Sequence, residues 1–271
     1  MPAVVSLHIY PVKSCRGLDV ATAEVDSLGF VGDRRFMAVT PEGGFLTQRT
    51  VPAMARIATR VQPAGVSLSA EGFGSIEVPF TANAGSRRVV VWRDSVDADD
   101  CGDEPADWLS AVLGAPTRLV HIGRDYHRPI RPSKARPGDV FSFADGYPFL
   151  VISEESLQRL NDRIAERGHD GVPMNRFRPN IVISGVDAFS EDAWARVRIG
   201  AVTFRTGGPC ARCVITTTDQ FTGTRGKEPL ATLATFRRDP NEPTDVNFGM
   251  NLIHEIKSGA IHVGDDIEVL G

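Results

Sequence analysis

The sequence predicts a mainly β protein with a few helices, an α+β fold arranged in two lobes. Short β-like runs separated by glycine and proline clusters fill most of the first 100 or so residues. A proline-rich segment then interrupts the pattern, and a second set of strands and helices follows. The chain has 271 residues, of which 42% are hydrophobic and 24% charged, as is ordinary for a globular protein with a substantial core.

The first lobe opens with a strand, because Val5, Leu7 and Ile9 alternate with polar or amphipathic residues as far as Pro11. Similar patterns predict strands over residues 36–40, 64–69 and 89–92. One helix follows them, with Pro105 near its start and Gly114 just past its end. The apolar face of this helix is formed by Trp108, Leu109, Val112 and Leu113.

The second lobe follows residues 124–138, a segment with three prolines and no apolar periodicity that is typical of a linker or a long functional loop. Ser153 has the side chain of a helix N-cap, Ile152 and Leu157 are spaced for a hydrophobic staple, and Gly168 would end that helix. We also expect strands over residues 181–184 and 213–217, a short helix over 229–236 and a closing strand within 261–270.

Charge and hydropathy exclude some classes of function. The formal net charge is -4, which argues against a general nucleic-acid binder but permits a local basic pocket. No stretch approaches the roughly 20 apolar residues of a membrane span, and the N-terminus lacks the pattern of a signal peptide. A cytoplasmic location is therefore expected.

Cys210 and Cys213 form the sharpest local motif, a C-x-x-C pair with Arg212 between them. A structural zinc site needs two more ligands at a comparable spacing, which the sequence lacks, and the β-branched residues 214–217 are a poor start for a thioredoxin-like helix. Two interpretations stay open. One thiolate is a ligand to a soft metal, or both residues are small buried thiols at a strand end.

Three clusters have the chemistry of an anion site: Lys13 with Ser14, residues 33–35, and residues 175–180. Each lies at a predicted strand boundary, where side chains from several strands converge. A single such cluster is most often a solvated surface with weak ion pairs. Three clusters together with a soft-metal thiolate indicate one ligand that combines a phosphate with a soft metal.

Nine segments in order along nearly the whole chain resemble the MOSC-domain proteins that carry an additional N-terminal β-barrel module, the group that contains the mitochondrial amidoxime reducing component and its bacterial relatives. The resemblance implies a MOSC N-terminal β-barrel-like domain over residues 1–122 and a MOSC β-barrel domain over residues 123–271. The segments are IYPVKSCRG, GDRRFM, FLTQR, YPFLVISEESL, FRPNIVISG, CARCVITTTDQFTG, KEPLATL, NFGMNLI and VGDDIEVL.

The resemblance further implies a molybdenum cofactor of the molybdopterin type, held between the two lobes. In the family's C-x-R-C segment the second cysteine is the metal ligand, which is Cys213 in this sequence. Arg212 would contact the cofactor beside the metal, and Asn251 would line the same pocket. The phosphate or pterin would be held by Lys13, Ser14, Arg34, Arg178 and Asn180.

The activity implied by the resemblance is two-electron reduction of an N-hydroxylated substrate, with Asp145 near the metal as a source of the proton. Gly146 and Tyr147 differ from the small hydroxyl residues that the family pattern leads us to expect beside it. Because the sequence ends at Gly271 without an iron–sulfur domain, the electrons are expected from a separate ferredoxin- or cytochrome-type protein.

Two alternatives remain. A sulfur or molybdenum-cofactor carrier would use an accessible cysteine and hold no metal stably, and a redox or scaffold protein would show reversible chemistry between Cys210 and Cys213.

Overall fold

The computed structural model describes residues 1–123, 126–130 and 135–271 and confirms the mainly β architecture. Its helices are α1 (Asp103–Leu113), α2 (Glu154–Glu166) and α3 (Leu230–Leu233), with 3-10 turns over Pro52–Arg56, Met174–Arg176, Ser190–Ala193 and Val214–Thr217. None of the helices within these ranges has the length and apolar character needed to cross a membrane. The strands are β1 (Ala3–Ile9), β2 (Leu18–Val20), β3 (Thr22–Asp26), β4 (Gly29–Phe30), β5 (Phe36–Val39), β6 (Ala58–Gln62), β7 (Gly65–Ala70), β8 (Gly74–Pro79), β9 (Ser86–Val91), β10 (Asp94–Asp100), β11 (Arg118–His121), β12 (Phe149–Ser153), β13 (Ile181–Ser184), β14 (Arg196–Ile199), β15 (Val202–Ala211), β16 (Asn247–His254), β17 (Ala260–His262) and β18 (Ile267–Val269).

The largest sheet joins the two ends of the chain. Its eight strands run in the order β18-β14-β15-β16-β12-β13-β1-β2, with β12 and β13 parallel to each other. Strand β1 pairs with β13, and β3 pairs with β17 in a smaller sheet. The first strands of the chain therefore pack with strands of its second half, so the loop that follows β1 lies close to loops from both halves.

The rest of the first half forms two further sheets, ordered β5-β11-β10-β9 and β6-β7-β8. Helix α1 covers one side of them, and the predicted apolar face is the face that packs. Leu109 is fully buried in a cluster with Phe36 and Leu68, while Trp108 and Val112 are partly buried against the same cluster. The loop after β1 joins these sheets, since the N–H of Lys13 donates to the Phe36 carbonyl of β5 at 2.9 Å.

Helix α2 begins and ends as the sequence predicts. The hydroxyl of Ser153 accepts the backbone N–H of Ser156 at 3.1 Å, and Ile152 and Leu157 pack into one apolar cluster. The helix ends at Glu166, and Gly168 has a φ of 77°, which favours glycine. The cap fixes the junction between β12 and α2.

Two predicted elements are wrong in kind or extent. The predicted strand over 213–217 is a 3-10 turn, because the hydroxyl of Thr216 donates to the Cys213 carbonyl at 3.0 Å and that of Thr217 donates to the Val214 carbonyl at 2.8 Å. Strand β15 ends before it, at Ala211. The predicted helix over 229–236 is confined to α3, four residues long.

Residues 124, 125 and 131–134 of the predicted linker lie outside the described residues. Its described part is paired, because the N–H of Ile130 donates to the Asp139 carbonyl at 2.9 Å and the N–H of Phe141 donates to the Arg128 carbonyl at 3.1 Å. Residues 142–148, the loop before β12, follow directly after this paired segment.

Candidate functional site

One pocket is lined by all nine residues that the sequence assigns to the site. They come from the loops after β1 and β4, the loops before β12 and β13, the end of β15 and the strand β16. The nine residues are Lys13, Ser14, Arg34, Asp145, Arg178, Asn180, Arg212, Cys213 and Asn251. The topology explains their meeting, since β1 inserts beside β13 and the neighbouring loops open on the same end of the sheet.

The backbone is strained at three of these positions. Ser14, Arg34 and Arg178 have φ values of 67°, 48° and 56°, in the left-handed region that favours glycine. A non-glycine residue held there costs of order 1 kcal/mol or more and persists only where its surroundings fix it. The strain coincides with the residues whose side chains line the pocket, which is the pattern of a functional site rather than of a folding element.

Two arginines share one aromatic ring on this side of the pocket. The guanidinium carbon of Arg34 lies 4.4 Å from the ring centroid of Tyr10, and that of Arg178 lies 4.2 Å from it. Arg34 also donates to Asp33 at 2.5 Å and to the side-chain oxygen of Asn180 at 3.0 Å. Burial lowers the pKa of Arg178 to about 10, so both guanidinium groups are charged at neutral pH.

Lys13 and Asp145 form an ion pair in which the lysine is buried and the aspartate is half exposed. The Lys13 ammonium contacts the Asp145 carboxylate and donates to the Phe143 carbonyl at 2.7 Å, while Arg49 donates to Asp145 at 2.9 Å. Burial lowers the pKa of Lys13 to about 8, although Asp145 opposes the shift. Burial alone would raise the pKa of Asp145, but Lys13 and Arg49 outweigh it and hold that pKa well below its usual range. At neutral pH Asp145 is therefore a carboxylate, and it must first be protonated to serve as a proton source.

The two motif cysteines have different neighbours. Arg212 donates to the Cys210 sulfur at 2.8 Å and to the Phe177 carbonyl at 2.6 Å. Cys213 lies beside Arg49: burial alone would lower the pKa of Arg49, but its neighbours Asp145 and Cys213 raise it. Cys213 thus lines the pocket next to a guanidinium group, which stabilises a thiolate.

The other two cysteines are poor candidates for a ligand. Cys15 and Cys101 are buried in an apolar cluster, where burial raises the pKa of each thiol to about 12. Neither is among the residues that line the pocket.

The donor set fits an anionic ligand that also carries a soft metal. Among the lining residues that the structure describes, five are cationic and one is a carboxylate, Asp145. Nη1 of Arg49 and Nε of Arg212 are buried and have no hydrogen-bond partner in the described part of the chain. A buried donor without a partner costs about 1–3 kcal/mol, so these atoms favour an acceptor group of a ligand. The cations are Lys13, Arg34, Arg49, Arg178 and Arg212.

The structure adds two residues to which the sequence assigned no role. Arg49 is the last residue of the segment FLTQR, and its place in that segment was the available signal. Tyr147 donates its hydroxyl to the Gly207 carbonyl at 2.7 Å, and a Cβ on Gly207 would lie 2.2 Å from the tyrosine ring. Asn251 lies on β16 and donates to the carbonyls of Gly208 and Pro209 on the paired strand β15, each at 3.2 Å. These contacts fix one wall of the pocket.

Comparison with known proteins identifies the family of the chain. Residues 1–116 match the MOSC N-terminal beta barrel domain, and residues 138–268 match the MOSC domain. The chain belongs to the MOSC-domain family. Within that family, this MOSC protein is 36% identical to mitochondrial amidoxime-reducing component 1 of Homo sapiens, over 99% of this chain and 83% of the relative.

Two further relatives extend the comparison. Mitochondrial amidoxime reducing component 2 of Bos taurus is 33% identical to the MOSC protein over 97% of this chain and 82% of its own length. Molybdenum cofactor sulfurase of Homo sapiens is 30% identical over 93% of this chain but only 30% of its own length. The predicted domain boundary at residue 122 falls between the two family matches and stays a prediction.

Proposed function

We propose that this MOSC protein is a molybdenum-cofactor-binding oxidoreductase that reduces N-hydroxylated compounds, with the Cys213 thiolate as the protein ligand to molybdenum. The observation that carries the proposal is that Cys213 lines the same pocket as five cationic side chains, two of which have buried donors without a partner among the described residues. Relatives at 36% and 33% identity are named as amidoxime-reducing components, which supports N-hydroxylated substrates.

Each part of the pocket has a distinct task in holding the cofactor. A thiolate suits a soft metal, and fixed guanidinium and ammonium groups suit a phosphate. Lys13, Arg34 and Arg178 would bind the phosphate or pterin, and Asn180 holds Arg34 in place through its 3.0 Å hydrogen bond. Arg212 would donate its free Nε to the cofactor beside the metal.

The cofactor, when bound, supplies the two-electron redox chemistry, and the protein supplies orientation and charge. Lys13 holds a proton at Nζ whose pKa of about 8 lies close to neutral, and it contacts Asp145 directly. Because the pKa of Asp145 is held well below its usual range, Lys13 would be the member of the pair that gives a proton to a substrate in the pocket, and the Asp145 carboxylate would orient the ammonium group. The electrons would come from a separate protein that docks at the mouth of the pocket.

A second function, delivery of sulfur or of the cofactor to another enzyme, is favoured by the likeness to molybdenum cofactor sulfurase. A sulfur carrier would hold a persulfide on an accessible cysteine and would bind no metal stably. The five cations of the pocket favour a resident anionic cofactor instead.

The proposal is tested by turnover. The protein is purified from a host that makes the cofactor and given benzamidoxime with an excess of a chemical reductant, so that no natural electron donor is needed. We expect conversion to benzamidine by the wild type and a loss of at least about 100-fold in Cys213→Ala, since the metal loses its ligand. No conversion by a wild type that instead carries a persulfide on Cys213 would favour the carrier.

A further inference from the structure

Trp92 has a backbone conformation that is unfavourable for an aromatic residue. It occupies the first position of the two-residue turn between β9 and β10, where Val91 pairs with Asp94. The φ of Trp92 is 58°, whereas the φ of Arg93, the second turn residue, is not positive. A two-residue hairpin turn with a positive φ at its first position favours glycine there, and a bulky side chain at that position is strained.

The neighbouring loop holds this strained turn in place. The N–H of Val90 donates to the Gly43 carbonyl at 2.9 Å, and the N–H of Phe45 donates to the Val90 carbonyl at 3.2 Å. The same loop continues into Arg49, which lines the pocket. The hairpin tip is therefore fixed with respect to the pocket.

The indole of Trp92 lies against two residues that line the pocket. Its Nε1 donates to the Asp145 carboxylate at 3.2 Å, and the guanidinium carbon of Arg49 lies 4.5 Å from its ring centroid. The ring of Phe45 packs against it at 5.2 Å between centroids. Even so, Trp92 remains 43% exposed. A partly exposed aromatic surface is thus held open to solvent beside Asp145 and Arg49.

We propose that Trp92 is a substrate-contacting specificity residue whose indole stacks on the flat aromatic part of an N-hydroxylated substrate. Strain at a surface turn and an exposed indole are both unfavourable for folding, which indicates that the residue serves binding. An aromatic partner on the indole would remove apolar surface from water in a geometry that rings prefer. That the stacked molecule is reduced in the pocket rests on the proposed function.

The test compares two probes that share the amidoxime group. Benzamidoxime carries a phenyl ring, and acetamidoxime carries a methyl group in its place. Trp92→Gly removes the ring and suits the turn, so the hairpin is expected to fold, and Trp92→Phe keeps an aromatic ring without the N–H. Trp108→Phe is the matched control, because that indole lies on α1, donates to the Phe73 carbonyl at 2.9 Å and packs against the apolar cluster that contains Leu109.

Binding is measured first, by calorimetry on cofactor-loaded protein without reductant, so that no turnover occurs. We expect Trp92→Gly to weaken benzamidoxime binding about tenfold, or ~1.4 kcal/mol, and acetamidoxime binding less than twofold. Trp92→Phe should lie between the wild type and Trp92→Gly, and Trp108→Phe should match the wild type. Under turnover, the KM for benzamidoxime should rise by the same factor in Trp92→Gly while kcat stays within about twofold.

The outcomes separate this inference from the proposed function. Equal benzamidoxime affinity in the wild type and Trp92→Gly, or no benzamidoxime binding by the wild type, overturns the role of Trp92 even if both probes are reduced. A tenfold loss of binding in Trp92→Gly with no reduction of either probe by the wild type supports the contact and overturns the proposed reaction. An equal loss for both probes overturns the stacking role, because the effect would then not depend on the aromatic ring.

Discussion

The ammonium group of Lys13 binds the carboxylate of Asp145, although 132 residues separate the two in the sequence. The contact ties the loop after β1 to the loop before β12, and thus connects the two halves of the chain across the pocket. Lys13 is almost fully buried, whereas half of the Asp145 side chain is exposed. Solvent therefore reaches the pair from the carboxylate side.

The first prediction concerns the pH dependence of this pair. The folded-state pKa of Asp145 is lowered, so its ionised form stabilises the fold above the unfolded pKa of about 4, and that stability is lost as the pH falls further. Wild type should exceed Asp145→Asn in unfolding free energy by about 1 kcal/mol at pH 6, an upper value for a half-exposed pair. The difference should shrink between pH 4 and pH 3 in urea unfolding. A difference that stays constant down to pH 3 would show that Asp145 does not contribute through its charge.

The second prediction concerns Arg128, which holds the loop carrying Asp145. Its buried guanidinium donates to the carbonyls of Ser142 and Ala144, at 3.1 Å and 2.6 Å, and pairs with Asp94 at 2.8 Å. Arg128→Met should lower the unfolding free energy by about 3–5 kcal/mol, because it removes one partner of a buried ion pair.

The measurement is denaturant unfolding, with Arg128→Lys as the control that keeps the charge but not the planar fork. We expect Arg128→Lys to recover only part of the loss. A cost below about 1 kcal/mol for Arg128→Met would contradict the positioning role of this residue.

The third prediction concerns Tyr10, the ring beside Arg34 and Arg178. Tyr10→Phe keeps the ring but loses the hydrogen bond to the Pro179 carbonyl at 2.8 Å, and should cost about 1 kcal/mol of unfolding free energy. Tyr10→Leu also loses both cation–π contacts, each worth about 1 kcal/mol or more when buried.

Because those two arginines are proposed to bind the cofactor, Tyr10→Leu should retain clearly less molybdenum than Tyr10→Phe after the same purification. Equal molybdenum content in the two variants would mean that the ring does not position the arginines.

The site is predicted mainly by the resemblance to the MOSC-domain proteins, which alone places Asp145 and Asn251 in it. The C-x-x-C motif and the three anion-binding clusters also stand out from the sequence itself, because polar and cationic side chains beside strand ends can converge. The nine predicted residues meet in one pocket. The segment FLTQR draws attention to Arg49, but its contact with Asp145 could not be predicted, because the two residues lie 96 positions apart and meet only through the fold of the loop after β5. Trp92 was predicted as the end of a strand, and only the two-residue turn shows that its indole points toward Asp145.

The local prediction failed at 213–217 for a physical reason. Threonine favours strands through its branched Cβ, but its hydroxyl can also bond to a nearby carbonyl, and here the hydroxyls of Thr216 and Thr217 close a 3-10 turn. The turn takes Cys213 out of β15 and sets it at the pocket wall. Propensity alone does not decide between these two uses of the same side chain.

The most direct test of the account is the amount of molybdenum per chain, measured by elemental analysis in the wild type, Cys213→Ala and Cys210→Ala, all produced in a host that makes the cofactor. The account predicts nearly one molybdenum per wild-type chain, a clear loss in Cys213→Ala and retention of most of the metal in Cys210→Ala, whose sulfur contacts Arg212. Equal metal in the wild type and Cys213→Ala would contradict the assignment of the ligand. Absence of both molybdenum and pterin from all three proteins would contradict the resident cofactor itself.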